Sequence, residues 1–142
     1  MMLFVDTWGW IATHDRREKM HAPAAACIQQ RMRRRGRVIT SDYVLDETIT
    51  HLFARRTFSE AWAFVEAVFG GAEQRFIRIE RVSAERFEAA LELRRRFRDK
   101  PGISFTDLTS MAIMQELGIS DVLTADRHFE QVGLGFRLYP GA

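Results

Sequence analysis

The sequence predicts an α/β fold, a three-layer α/β/α sandwich with a mainly parallel central sheet. Short apolar runs with strand character alternate with longer segments of helical period, the pattern that a parallel sheet joined by helical crossovers produces. Capping residues and glycines stand at the ends of most helical segments. The 142 residues hold no repeat and no Ser/Gly-rich linker, so one domain over 1–142 with one core is expected.

Residues 3–5 form the first buried strand. Residues 19–35 carry helical periodicity and end at Gly36, a residue suited to follow a helix. Residues 37–40 form a second strand, after which Ser41 or Asp42 caps a helix whose apolar positions Val44, Leu45, Thr48, Ile49 and Leu52 keep one face. Residues 58–69 are apolar with helical spacing and end at Gly70-Gly71; residues 76–79 alternate as a strand, and residues 84–97 return to helix. Pro101-Gly102 breaks the chain. Ser104 opens a helix through Leu117 that Gly118 closes, followed by a strand at 122–124, a short helix at 126–131 and a last strand at 136–138.

Cys27 is the single cysteine, so no intrachain disulfide is available, and a reducing, cytoplasmic setting is expected. The apolar N-terminus is interrupted by Asp6, lacks a basic flank and is too short for a signal peptide or membrane span, which predicts a soluble protein. Net charge is only +2, but Arg31, Arg33, Arg34, Arg35 and Arg37 form one basic cluster and Arg94, Arg95, Arg96, Arg98 and Lys100 another. Each is a candidate for phosphate contact or a solvated helix end.

In open α/β sheets, ligands bind beyond the carboxyl ends of the strands. Asp6 directly follows the first strand, and Asp126 comes just after the strand at 122–124. Asp107 stands in the first turn of the helix that Ser104 opens, where it also fits a capping box reaching back to the Ser104 amide. Asp46 and Glu47 are surplus to the capping of their helix; they flank its apolar face on opposite sides, because neighbours turn by about 100° around the axis. Periodicity does not choose between them. Each acid taken singly also serves as a cap or a surface residue. Clustered at one sheet edge, they repel unless a divalent cation neutralises them. An all-oxygen site suits Mg²⁺ or Mn²⁺. Zinc is not expected, because His14, His21, His51 and His128 show no paired ligand spacing and read as surface or packing residues.

No Walker A loop or G-x-S-x-G elbow is present, and Gly133-Leu134-Gly135 neither follows a strand nor opens a helix. Trp8, Trp10, Phe58, Trp62, Phe64 and Phe69 read as core or dimer contacts ahead of base-stacking platforms.

Four segments together resemble the PIN domain, in particular the VapC-type toxin ribonucleases. They are Leu3-Phe4-Val5-Asp6-Thr7, the stretch from Val38 to Thr48 with Asp46-Glu47, Phe105-Thr106-Asp107, and Leu123-Thr124-Ala125-Asp126-Arg127-His128-Phe129. The resemblance implies an acidic quartet of Asp6, Glu47, Asp107 and Asp126 holding Mg²⁺ or Mn²⁺, with Thr7, Ser104 and Thr124 as supporting polar residues. It implies an endoribonuclease, the toxin of a toxin-antitoxin pair, acting on RNA as a homodimer and inhibited by a small antitoxin protein. Where the family often has serine or asparagine two places after the first acid, this chain has Trp8, a departure that bears on substrate shape.

Two other readings compete. A Mg²⁺-dependent phosphatase or receiver also places Asp at strand ends, but the phosphatase wants a second Asp where Trp8 stands. The receiver wants a lysine ending its last strand, and only Lys19 and Lys100 exist. A noncatalytic RNA-binding module would not need four acids.

Overall fold

The central strand, β1 (Met2–Val5), is buried through Leu3, Phe4 and Val5, all of them 0% exposed. Burying side chains of this size stabilises by about 1.5–3 kcal/mol each. In the computed structural model, which describes residues 1–141, β1 pairs in parallel with β2 (Arg37–Ser41) on one side and with β4 (Asp121–Leu123) on the other. Strand β3 (Ile77–Glu80) extends the sheet beyond β2, and β5 (Arg137–Tyr139) extends it beyond β4. All five strands are parallel, in the order β3-β2-β1-β4-β5. Strand order reverses between β1 and β4, which makes the crevice at their carboxyl ends the topological switch point.

Seven helices flank this sheet in an α/β/α arrangement: α1 (Thr7–His14), α2 (His21–Arg33), α3 (Asp42–Arg55), α4 (Phe58–Glu73), α5 (Ala84–Arg96), α6 (Phe105–Leu117) and α7 (His128–Gln131). Trp10 of α1 is buried in the core, where its Nε1 donates to Thr40 Oγ1 of β2 at 3.0 Å and its ring meets Phe64 of α4 edge-on at 5.9 Å. Helix α6 buries every residue from Leu108 to Met114.

The structure departs from expectation in four places. Helix α1 was not among the predicted elements: it is short, opens Thr-Trp-Gly-Trp, and is capped by Asp6, whose Oδ1 accepts from the Gly9 amide at 2.9 Å. Gly9 is required here because a Cβ would stand 2.6 Å from the Leu123 carbonyl oxygen. Helix α2 starts later than predicted, at His21, and its left-handed closing residue is Arg35 (φ 56°), not Gly36. Gly36 comes next and donates to Arg31 O at 2.7 Å; its own lack of a Cβ admits the Met1 carbonyl. Helix α4 runs on through Gly70-Gly71 to Glu73 and is closed the same way by Arg75 (φ 64°). The short helix after β4 begins at His128, not Asp126. Gly118 closes α6 in the left-handed conformation (φ 68°), as predicted.

The basic clusters are partly internal. Arg31 pairs with Asp121 at 2.8 Å, at the amino end of β4, so the first cluster reaches the edge opposite the switch point. Arg94 donates to the carbonyls of Phe97, Lys100 and Ile103, clamping the loop that leads into α6. Of the aromatic residues read as core or dimer contacts, Trp10 and Phe64 are core, whereas Phe58, Trp62 and Phe69 are exposed along α4. No helix among the described residues is long and apolar enough to cross a membrane.

Candidate metal centre

Three elements deliver carboxylates to the switch point. Asp6 leaves β1 and caps α1; it is only 5% exposed. Asp107 lies in the first turn of α6, where Ser104 Oγ accepts from its amide at 3.1 Å. The return bond of a capping box, from the Ser104 amide to the Asp107 carboxylate, is not made. Asp107 instead faces Asp126, whose carboxylate helps to raise its pKa. Asp126 follows β4 and accepts from the His128 amide at 2.9 Å. Glu47 is exposed on α3, and its charge acts on both Asp6 and Asp107; Asp46 is not among the groups that act most strongly on either.

Thr124 knits the first and fourth acids together. Its Oγ1 donates to Asp6 Oδ2 and accepts from the Asp126 amide at 3.0 Å, within a residue that is only 3% exposed. Of the other supporting residues, Ser104 acts through its cap, and Thr7 Oγ1 is buried without a partner.

These acids carry more charge than the site comfortably holds. Burial raises Asp6 to about 7; the Thr124 and Gly9 hydrogen bonds oppose that, and the charges of Asp126 and Glu47 add to it. Asp107 rises to about 8, first through burial, then through its bond to Asp126 and the charges of Asp6, Asp126 and Glu47. The contrast with the molecule's other buried acids is informative. Asp15 is held by Arg17 and Arg56, and Asp121 by Arg31 and Arg137. Among the described residues, no lysine or arginine pairs with Asp6, Glu47, Asp107 or Asp126. Carboxylates gathered without a protein cation are neutralised either by protons or by a bound cation.

The residues fit a divalent cation on a second count. Three buried side-chain atoms among the described residues lack a hydrogen-bond partner: Thr7 Oγ1, Ser110 Oγ and His128 Nδ1. Thr7 is next to Asp6 and Ser110 three places after Asp107 in the chain, while His128 Nδ1 lies 3.0 Å from Asp126 Oδ1. Orphaned buried polar atoms are uncommon, and the His128 nitrogen is one that an ion beside Asp126 would satisfy. Sequence reasoning missed His128 by treating the histidines singly. Asp107, Asp126 and His128 place ligand atoms within 4.8 Å of one another, and the available signal was that His128 stands two residues after Asp126 at the start of a helix.

A cavity of about 480 Å³, lined by Trp8, Thr124, Ala125, Phe136 and Leu138 with the exposed Arg127 at its rim, meets the acidic cluster through Thr124, and none of the four acids lines it. Trp8, the departure noted in the sequence, is part of that lining.

A parallel sheet whose switch point collects carboxylates without a basic partner defines an α/β domain with a candidate cation site. The sequence profile of the PIN domain matches residues 3–134, and the chain belongs to the PIN domain family. It is similar to VapC20 of Mycobacterium tuberculosis, a sarcin-ricin loop cleaving toxin, with 30% identity over 92% of this chain and 95% of that one at a TM-score of 0.76. VapBC2 of Rickettsia felis, solved bound to a DNA fragment from its promoter, shares the fold at 14% identity and a TM-score of 0.73, covering 97% of each chain. No match was found among curated protein sequences.

Proposed function

We propose that this chain is a divalent-metal-dependent endoribonuclease, the toxin of a toxin-antitoxin pair. The observation that carries the reading is that, among the described residues, no arginine or lysine partners the four acids, while Asp15 and Asp121 each have two. Asp6 and Asp126 would be the central ligands, with Glu47 and Asp107 completing the set directly or through water. Bound there, Mg²⁺ or Mn²⁺ supplies a water of lowered pKa and neutralises charge on the phosphodiester.

The chain's own residues do the rest. Thr124 fixes Asp6 and Asp126 relative to each other. Glu47, the exposed member, or Asp107 would take the proton of the attacking water. Arg127, 74% exposed, offers charge to the RNA backbone at the rim, and its exposed pair with Glu130 is weak enough to exchange for a phosphate.

The substrate reading draws on the VapC20 likeness, which makes a structured RNA loop the first candidate. The homodimer and the small antitoxin come from the family resemblance. The test is incubation of the purified chain with a structured RNA hairpin and its DNA counterpart, with Mn²⁺ and with EDTA. Cleavage of RNA alone, abolished by EDTA, is the expected result. No cleavage, or cleavage that survives EDTA, would overturn the proposal.

A further inference from the structure

We propose that His128 Nδ1 is a direct ligand of the cation held by Asp107 and Asp126, which gives the centre a mixed nitrogen-oxygen character and a preference for Mn²⁺ over Mg²⁺. The proposal rests on the metal-centre reading above and goes beyond its all-carboxylate ligand set.

Geometry carries it. Nδ1 lies 3.0 Å from Asp126 Oδ1, yet it makes no hydrogen bond to any of the described residues, and that atom is out of contact with solvent although the side chain is 31% exposed. An imidazole nitrogen left bare and out of reach of water is costly. Adjacent ligands on an octahedral ion with bonds of about 2.1 Å lie about 3.0 Å apart, so the Nδ1 to Oδ1 separation is that of two donors sharing one ion. Asp107 supplies a third donor, all three ligand atoms lying within 4.8 Å of one another.

The residue is also positioned: the His128 amide is bonded to Asp126 Oδ1 at 2.9 Å, and the Gly102 backbone lies against the ring near Cε1 and Nε2. The other histidines are elsewhere: His14 packs on Phe64, His21 Nδ1 bonds to Ala12 O, and His51 sits beside Arg55. Chemistry sets the consequence. Imidazole binds Mg²⁺ poorly and borderline transition-metal ions better, so exchanging an oxygen donor for Nδ1 tilts selectivity along the Irving-Williams order.

Electron spin-echo envelope modulation of the Mn²⁺-loaded, full-length protein tests this directly. The expected result is nitrogen modulation from a coordinated imidazole, changing to the ¹⁵N pattern when histidine is ¹⁵N-labelled and absent from His128→Gln. In the same variant the Mn²⁺ over Mg²⁺ preference, from thermal-shift titrations, falls by about tenfold. The wild-type labelling experiment stands even if His128→Gln folds poorly.

Mn²⁺ that binds without nitrogen modulation, yet is lost in Asp126→Asn, would overturn the role of His128 and leave the carboxylate centre standing. Modulation unchanged in His128→Gln would do the same. Mn²⁺ binding equally to wild type and to an Asp107→Asn, Asp126→Asn double variant would remove the metal centre, and His128's part with it.

Discussion

Thr124 donates its hydroxyl proton to Asp6, 118 residues earlier in the chain, across the seam where β1 and β4 meet. The same oxygen accepts from the Asp126 amide at 3.0 Å. One hydroxyl thus orients two of the four acids. Thr124→Val keeps the shape and removes both bonds, so it should cost about 1 kcal/mol of stability and lower Mn²⁺ affinity about tenfold. Thr124→Ser should retain both properties. Urea unfolding and calorimetric Mn²⁺ titration of the two variants check this.

Protonation of the metal-free site sets a pH dependence. Folding raises Asp6 to about 7 and Asp107 to about 8. A carboxyl with a raised folded pKa contributes stability that is fully present below its unfolded value, about pH 4, and is lost as pH rises through the folded value. The metal-free protein should therefore lose on the order of a few kcal/mol between about pH 5 and about pH 8. Saturating Mn²⁺ should reverse most of that loss and release protons on binding near neutral pH. Urea midpoints at the two pH values, with and without Mn²⁺, measure it.

Gly9 holds α1 against β4. Alanine there would drive its Cβ to 2.6 Å from Leu123 O, a backbone atom with little freedom to move. Gly9→Ala should destabilise by about 1–3 kcal/mol. It should also weaken Mn²⁺ binding, because the displaced amide is the one that holds Asp6 Oδ1. A thermal melt together with a metal titration reads both effects.

Arg35 closes α2 in the left-handed region at φ 56°, where a side chain is penalised and glycine is not. Arg35→Gly should leave the fold intact and stabilise it by up to about 1 kcal/mol, measured as a rise in urea midpoint. The glycine the sequence offers at this turn, Gly36, is consumed by the approach of Met1 O.

That turn shows where sequence reasoning stopped. Strand positions and α6 were legible because apolar runs and the Ser104 to Gly118 punctuation are local signals. Helix α1 was not: Trp8 and Gly9 carry no helical period, and its stability comes from Asp6 at its cap and from packing against Phe64 and Leu123. Asp6 and Asp126 were visible as polar residues beside strand ends and Asp107 as an acid in the first turn of its helix, and the structure brings the three within electrostatic reach of one another. Glu47 was separable from Asp46 only by resemblance, since the two differ in which side of α3 meets the cluster. His128 was hidden because its significance is a distance to Asp126 and a missing hydrogen bond, neither of which a one-dimensional pattern carries.

Arg127 at the cavity rim should act on affinity alone. Arg127→Ala should weaken binding of a structured RNA to the metal-free protein and lower the salt slope by about one unit. Melting temperature should hold, because its pair with Glu130 is exposed. Fluorescence anisotropy across a salt series measures it.

If the uncompensated acids hold the ion that cuts RNA, wild type and Asp6→Asn should differ on one structured RNA in Mn²⁺, with both proteins shown to melt normally. Cleavage is expected from the wild type, with a loss of at least about a hundredfold in the variant, as removal of a central ligand forfeits several kcal/mol of charge stabilisation. Equal cleavage by the two proteins would contradict it.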